Sequence, residues 1–111
     1  MNKRSFQHRE LAGGRWRELP LVAQMANVGS EVERTIKWRH EEAFSRQAFE
    51  RALELLDLTI ADPKNRDRLR ELTRVREALV DYFMFENEYG SSDALWQHYF
   101  YAFNYAARIG L

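Results

Sequence analysis

AFSRQAFERALELLDLTIADPKNRDRLRELTRVREALVDYF, residues 43–83, decides the fold of this chain. Before Asp62, Phe44, Ala48, Ala52, Leu55 and Thr59 form one row at helical spacing, and Phe49, Leu53, Leu56 and Ile60 form the next. Two adjacent rows make a wide apolar face, so a helix over 43–61 belongs at the centre of a core. After the break, Leu69, Leu72, Val75, Leu79 and Phe83 recur at spacings of three and four and mark another helix. Between the two, Asp62 and Pro63 read as an N-cap followed by proline at the first helical position, where its missing N–H has no helical partner to lose. Asn65 is a rival cap.

Upstream, Val22, Met25, Gly29, Val32 and Ile36 form a stripe on a helix that opens near Pro20. Glycine inside a helix costs about 1 kcal/mol against alanine, so Gly29 is expected to permit close backbone approach to a neighbour. The break between this helix and the next falls at 38–42. No glycine or proline marks it; an unbroken helix from Pro20 to Asp62 would be too long for a domain of 111 residues. Downstream, ENEYGSS (86–92) ends the third helix. Gly90 suits a left-handed stop, Ser91 or Ser92 can cap, and Asp93 favours the positive end of a fourth helix. That helix carries Leu95, Trp96, Tyr99, Phe100, Phe103, Ala106 and Ala107 and ends near 108–110. Residues 1–16 read as an irregular arm, with Gly13 and Gly14 as breakers. The expectation is an all-α single domain over 1–111, an up-down-up-down four-helix bundle with an N-terminal arm.

Hydrophobic residues make up 45% of the chain, enough for a packed core. There is no cysteine, which excludes disulfides, thiolate metal sites and cysteine nucleophiles and fits a cytoplasmic protein. MNKRSFQHRE at the start is basic but leads into no apolar run, so no signal peptide is read. No stretch reaches the roughly 20 apolar residues a membrane helix needs, so no membrane partner is expected.

Net charge is +0, yet it alternates in blocks: +4 over 1–17, −4 over 18–63, +4 over 64–76 and −4 over 77–111. Blocks of this kind suit helices that pair with oppositely charged neighbours. A pI near 6.8 disfavours a phosphate binder driven by counterion release.

Reactive constellations are missing. A di-metal bundle needs Glu-x-x-His on two helices, and the motif is absent. Glu50, Glu54 and Asp57 line one face at helical spacing, where Arg46 and Arg51 make a salt-bridged solvated face the better account. His8, His40 and His98 lack metal-ligand spacing. No catalytic residue, cofactor or metal site is assigned.

Binding surfaces are better candidates. On the first helix Asn27, Glu31, Arg34 and Trp38 follow one line, with Ser30 and Lys37 beside it. This is either an outer face ending in a tryptophan packed on the next loop, or an interface with Arg34, Lys37 and Trp38 as anchors, since Trp and Arg are enriched in binding hot spots. On the fourth helix the aromatic residues point to more than one side. The leftover rings, Tyr101 and Tyr105, are expected to form an exposed patch suited to a homodimer or a protein partner. Nucleic-acid binding is the alternative. It would use Arg66, Arg68, Arg70 and Arg74, with Tyr82 further along, although Asp67 and Glu71 argue for internal pairs. A small-molecule enzyme built on Glu31 and Arg34 is a third reading, favoured only by a buried Glu31 without partners.

GRWRELPLVAQMANVGSEVERTIKW, ending at Trp38, and ALELLDLTIADPKNRDRLRELTRVREALVDYF, residues 52–83, resemble a small group of prokaryotic proteins of uncharacterised function. The resemblance implies no activity and adds no catalytic residue. In shape alone, a short four-helix bundle is similar to the 23S rRNA intervening-sequence proteins and to HEPN domains, and shape does not carry function. The HEPN ribonuclease motif sets an arginine four to six residues before a histidine on a late helix. His98 has no arginine in that window, and Arg4 and His8 lie in the arm.

Overall fold

Pro20, extended at φ −66° and ψ 159°, stands before helix α1, Leu21–Lys37. A short turn over 38–41 leads into α2, Glu42–Ala61. The computed structural model describes residues 14–110, and among them there is no β-strand. The protein is all-α. The boundaries at Pro20 and at 38–42 fall where the sequence places them.

Asp62 stops α2 and accepts a hydrogen bond from the Lys64 backbone N–H at 3.1 Å, so it caps as expected. Pro63 nevertheless opens a 3-10 helix, Pro63–Arg68, and the α-helix α3 runs only from Leu69 to Met84. Asn65 is no cap. It is buried, and its side-chain amide donates to the Thr59 carbonyl at 2.9 Å and to Gln24 Oε1 at 2.8 Å. The tighter winding of a 3-10 segment gives more rise per residue and carries the chain from α2 to α3 while Asn65 stays inside. Helix α4, Asp93–Arg108, is capped by Ser92, whose hydroxyl accepts from the Leu95 N–H at 3.1 Å.

Helix α1 packs against both α2 and α4, the two most extensive helix pairs. A helix with two neighbours turns a broader and differently angled face inward than one stripe predicts. Met25 and Val32 are buried as expected, but Gln24, Val28 and Thr35 complete the buried face, and Val22, Gly29 and Ile36 lie half-buried at its edge. On α2, Ala48, Phe49, Ala52, Leu55, Leu56 and Thr59 are buried, whereas Phe44 lies out in solvent. From α3 come Leu72, Val75 and Leu79, and from α4 Trp96 and Phe100. Gly29 is the point of closest approach: a Cβ there would sit 2.7 Å from the Phe100 Cβ. Only a residue without a side chain lets α1 and α4 meet at this spacing.

Trp16 corrects the expected arm. Residues 14–16 are helical, Trp16 is buried, and its indole Nε1 donates to Thr59 Oγ1 at 2.9 Å. Residues 1–13 of that arm lie outside the described residues. The Gln24 amide donates to the Trp16 carbonyl and to Asp62 Oδ2, each at 2.9 Å. Lys64 Nζ bonds the same Asp62 oxygen and the Arg17 carbonyl. A buried polar group costs about 1–3 kcal/mol when left unpaired. Here Gln24 bonds both Asp62 and Asn65, and the Thr59 hydroxyl accepts from Trp16 and donates to the Leu55 carbonyl. Burial pushes the Asp62 carboxyl up, but hydrogen bonds from Lys64 and Gln24 outweigh it and hold the group below its ordinary value.

A second fixture joins the α1–α2 turn to the start of α4. Arg39 donates to both oxygens of Asp93 at 2.8 Å, and the Tyr82 hydroxyl donates to Oδ1 at 2.6 Å. The Arg39 guanidinium also lies over the Tyr82 and Phe83 rings, 5.8 Å from each centroid. Hydrogen bonding from Arg39, opposed by burial and reinforced by Tyr82, holds the Asp93 carboxyl below its ordinary range. Asp93 is therefore a tie between elements as well as a favourable charge at a helix start.

Two measurements check these contacts. Gly29→Ala gains helix propensity yet drives a methyl into Phe100. The expected net is destabilisation by about 1–3 kcal/mol, read as a lower Tm; a raised Tm would mean that the two helices can separate freely. Both Asp62 and Asp93 have lowered folded pKa values. Their contribution is therefore fully present above the unfolded value of about 4 and is lost as pH falls through the folded values. Acid unfolding followed by circular dichroism should show this loss, and Asp62→Asn should make the acid limb shallower.

Candidate interaction surface

Helical spacing sets Arg34 and Trp38 on one outer line of α1, and the tertiary structure places a cleft on each side of it. Between α1 and α2, Arg34, Trp38, Phe44 and Arg51 line a cleft of about 450 Å³. Between α1 and α4, Arg34, Lys37, Gln97, Tyr101 and Asn104 line a second of about 540 Å³. Arg34 belongs to both. Three of the four sequence-derived contact residues, Trp38, Arg34 and Tyr101, thus border one continuous region. Tyr105 extends it along α4, its ring stacked on Tyr101 with centroids 6.3 Å apart.

Trp38 stands at the end of the α1 line. It packs on the turn that follows, 5.8 Å from the His40 ring and edge-on to Phe44 at 5.7 Å. It still keeps 37% of its surface exposed. Arg34 is exposed and pairs with Glu31 at 3.0 Å. Glu31 also lies 3.8 Å from Arg51, so it is not the partnerless buried acid that the enzyme reading required. Among the described residues no group of three or more His, Asp or Glu side chains is placed to hold a metal ion.

On α4 the aromatic residues divide. Trp96 and Phe100 are buried and Tyr99 and Phe103 half-buried, while Tyr101 and Tyr105 remain 59% and 52% exposed. The Tyr99 hydroxyl donates to Glu71 at 2.9 Å, and burial together with that carboxylate pushes its pKa up. The outward face also carries Leu95, His98, Ala102 and Ile109, all exposed. Leu95, His98, Ala102, Tyr105 and Ile109 alternate by three and four residues, the spacing of a helix-pairing seam. That pattern was present in the sequence, hidden by the denser inward aromatic set.

The basic stretch is only partly available. Arg68 bonds Glu71 at 2.7 and 3.0 Å, and Arg76 bonds Asp57 at 2.6 and 3.2 Å. Arg66, Arg70 and Arg74 are exposed. Tyr82 is half-buried and tied to Asp93, not set among these arginines. No helix among the described residues is long and apolar enough to cross a membrane.

Sequence reasoning missed a third surface. The loop after α3 folds back along that helix, and Val80, Phe85 and Tyr89 floor a groove of about 710 Å³ rimmed by Glu77, Glu86 and Glu88. No periodic pattern announces it, because half of its wall is loop.

Trp16 and Trp96 are buried, so Trp38 should carry nearly all the tryptophan fluorescence that acrylamide quenches readily. Trp38→Phe is expected to remove that component and leave a blue-shifted, weakly quenched spectrum; an unchanged quenching slope would place Trp38 under cover. No protein-family model, curated protein or solved structure matches this chain.

Proposed function

We propose that this chain is a small interaction module that pairs with a second copy of itself through the outer face of α4. The observation that carries this reading is the seam Leu95–His98–Ala102–Tyr105–Ile109, exposed along its length with the Tyr101 ring beside it. Seams of this spacing bury their apolar side chains against a second helix.

The seam is self-complementary. Full antiparallel overlap of two α4 helices sets Leu95 against Tyr105 of the second copy, and His98 against Ala102. It also brings Asp93 at one end towards Arg108 at the other, and opposes the two helix dipoles favourably. Arg34 faces Tyr101 across the α1–α4 cleft and, with Trp38, offers a separate contact for a protein partner. The contacts within the chain support an up-down-up-down bundle beneath it. Glu33–Gln97 and Arg39–Asp93 run in opposite directions along α1 and α4, as do Arg51–Glu31 and Ser45–Thr35 along α2 and α1, and Asp57–Arg76 and Phe49–Phe83 along α2 and α3. The same reading sets the protein in the cytoplasm, in keeping with its lack of cysteine, and among small prokaryotic proteins of uncharacterised function. The RNA reading has less support, since Arg68 is already paired with Glu71.

Sedimentation velocity tests the proposal. The expected result is a concentration-dependent dimer that Tyr101→Ala or Tyr105→Ala shifts to monomer. Stability should change by no more than about 0.5 kcal/mol, as for an exposed position. A strict monomer at high concentration, or parallel loss of folding and association, would end the reading.

A further inference from the structure

We propose that the groove on the outer side of α3 binds a cationic amphipathic helical segment of a partner protein. This goes beyond self-association, because the groove lies on α3 and its following loop and shares no residue with the α4 seam.

The loop is built to hold two aromatic rings in solvent. Asp81 accepts the backbone N–H groups of Glu88 at 2.9 Å and Tyr89 at 3.0 Å, and its carbonyl accepts from Asn87 at 3.1 Å. Asn87 itself sits at φ 57°, an uncommon conformation for a residue with a side chain. Its amide is bonded both ways to the Ser91 backbone, at 2.7 and 3.0 Å. This bonding leaves Phe85 71% and Tyr89 61% exposed. Rings presented by an already ordered backbone lose little entropy when a partner covers them, and buried aromatic anchors dominate binding energy.

Charge selects the occupant. Glu77, Asp81, Glu86 and Glu88 surround the apolar floor, and the one arginine in the lining, Arg76, is turned to Asp57. The Glu77 carboxylate pushes the Tyr89 phenol up, with Asp81 adding to the shift and Arg74 opposing it. A phosphate backbone or an acidic peptide is repelled from such a rim. A helix that offers apolar side chains at i and i+4 with Lys or Arg on either side fits both the floor and the rim. A second copy fits less well, because its basic stretch 64–76 carries a single exposed large apolar side chain, Leu69.

The test uses the full chain and a fluorescein-labelled synthetic helix with Leu at i, i+3, i+4 and i+7 and Lys elsewhere. The control peptide has Glu in place of Lys. Anisotropy should report binding of the Lys peptide alone, weakening as salt rises. Phe85→Ala should cut affinity by at least about tenfold, and the double change Glu86→Gln with Glu88→Gln should do the same. Glu50→Gln with Glu54→Gln, on α2 and outside the groove lining, should leave affinity unchanged. Both groove variants alter exposed side chains, and melts verify that they fold. Equal binding of the two peptides, no binding at low salt, or indifference to both groove variants would overturn the proposal. So would a change in sedimentation on Phe85→Ala, which would assign the groove to a second copy.

Discussion

Asp62 is 4% exposed and carries a carboxylate, and most of the lower half of the structure is arranged around that fact. A buried charge is tolerated only when it is paired and hydrogen-bonded. Lys64 supplies the charge, while the Gln24 amide and the Lys64 backbone supply the remaining bonds. Two of these donors belong to Lys64, at the start of the 3-10 helix, and the third to Gln24 on α1, so the requirement joins two elements to the end of α2 at once. It stops α2, orients the start of α1, and fixes the entry to the 3-10 helix. Gln24 then has one amide oxygen left, which Asn65 takes, and its nitrogen also reaches the Trp16 carbonyl. An apolar plug would fill the same volume but would not distinguish one register of α1 on α2 from the next, because apolar contacts are not directional.

The Arg39–Asp93–Tyr82 cluster does the corresponding work roughly 20 Å further along α1, taking 1.5 Å of rise per residue. It is partly open to solvent, so its Coulomb energy is small; its value lies in the fork geometry, which pins the turn after α1 to the first turn of α4. With a polar fixture at each end, the contact between them can be close and apolar. Gly29 against Phe100 uses that freedom, and the distance between α1 and α4 follows from it. The outward faces of α3 and α4 are therefore displayed by a frame whose helices have little room to shift.

Local chemistry was legible in the sequence. Pro20, Asp62 and Ser92 mark helix boundaries through interactions within a few residues, so the chain alone reveals them; α3 instead stops at Met84, ahead of the 86–92 stretch and of Gly90, because the loop folds back onto Asp81. Gly29 was legible for a related reason: glycine within an apolar stripe has few explanations besides close approach. The exposure of Tyr101 and Tyr105 followed from counting rings against the one face a helix can bury. Phe44 went astray because an apolar residue in the first turn of a helix can extend beyond the core while keeping perfect spacing. Gln24, Thr35 and Asn65 were invisible as core residues, since each is buried only because of bonds to segments far away or to its own helix. Gly13 and Gly14 make the stretch around Trp16 read as an arm, because its dock on Thr59 lies 43 residues away.

Fold class, the helix ends at Pro20, Asp62 and Ser92, and the division of α4 between buried and exposed rings were determined by the sequence, because hydrophobic period and capping act over one or two turns; both ends of α3 were not. Tertiary structure alone decided that four polar side chains share one buried cluster, that Arg34 stands between two clefts, and that a loop clamped by Asp81 walls a groove with an acidic rim. Those arrangements depend on which distant atoms satisfy a buried donor or flank an exposed ring, and that pairing exists only once the helices have packed.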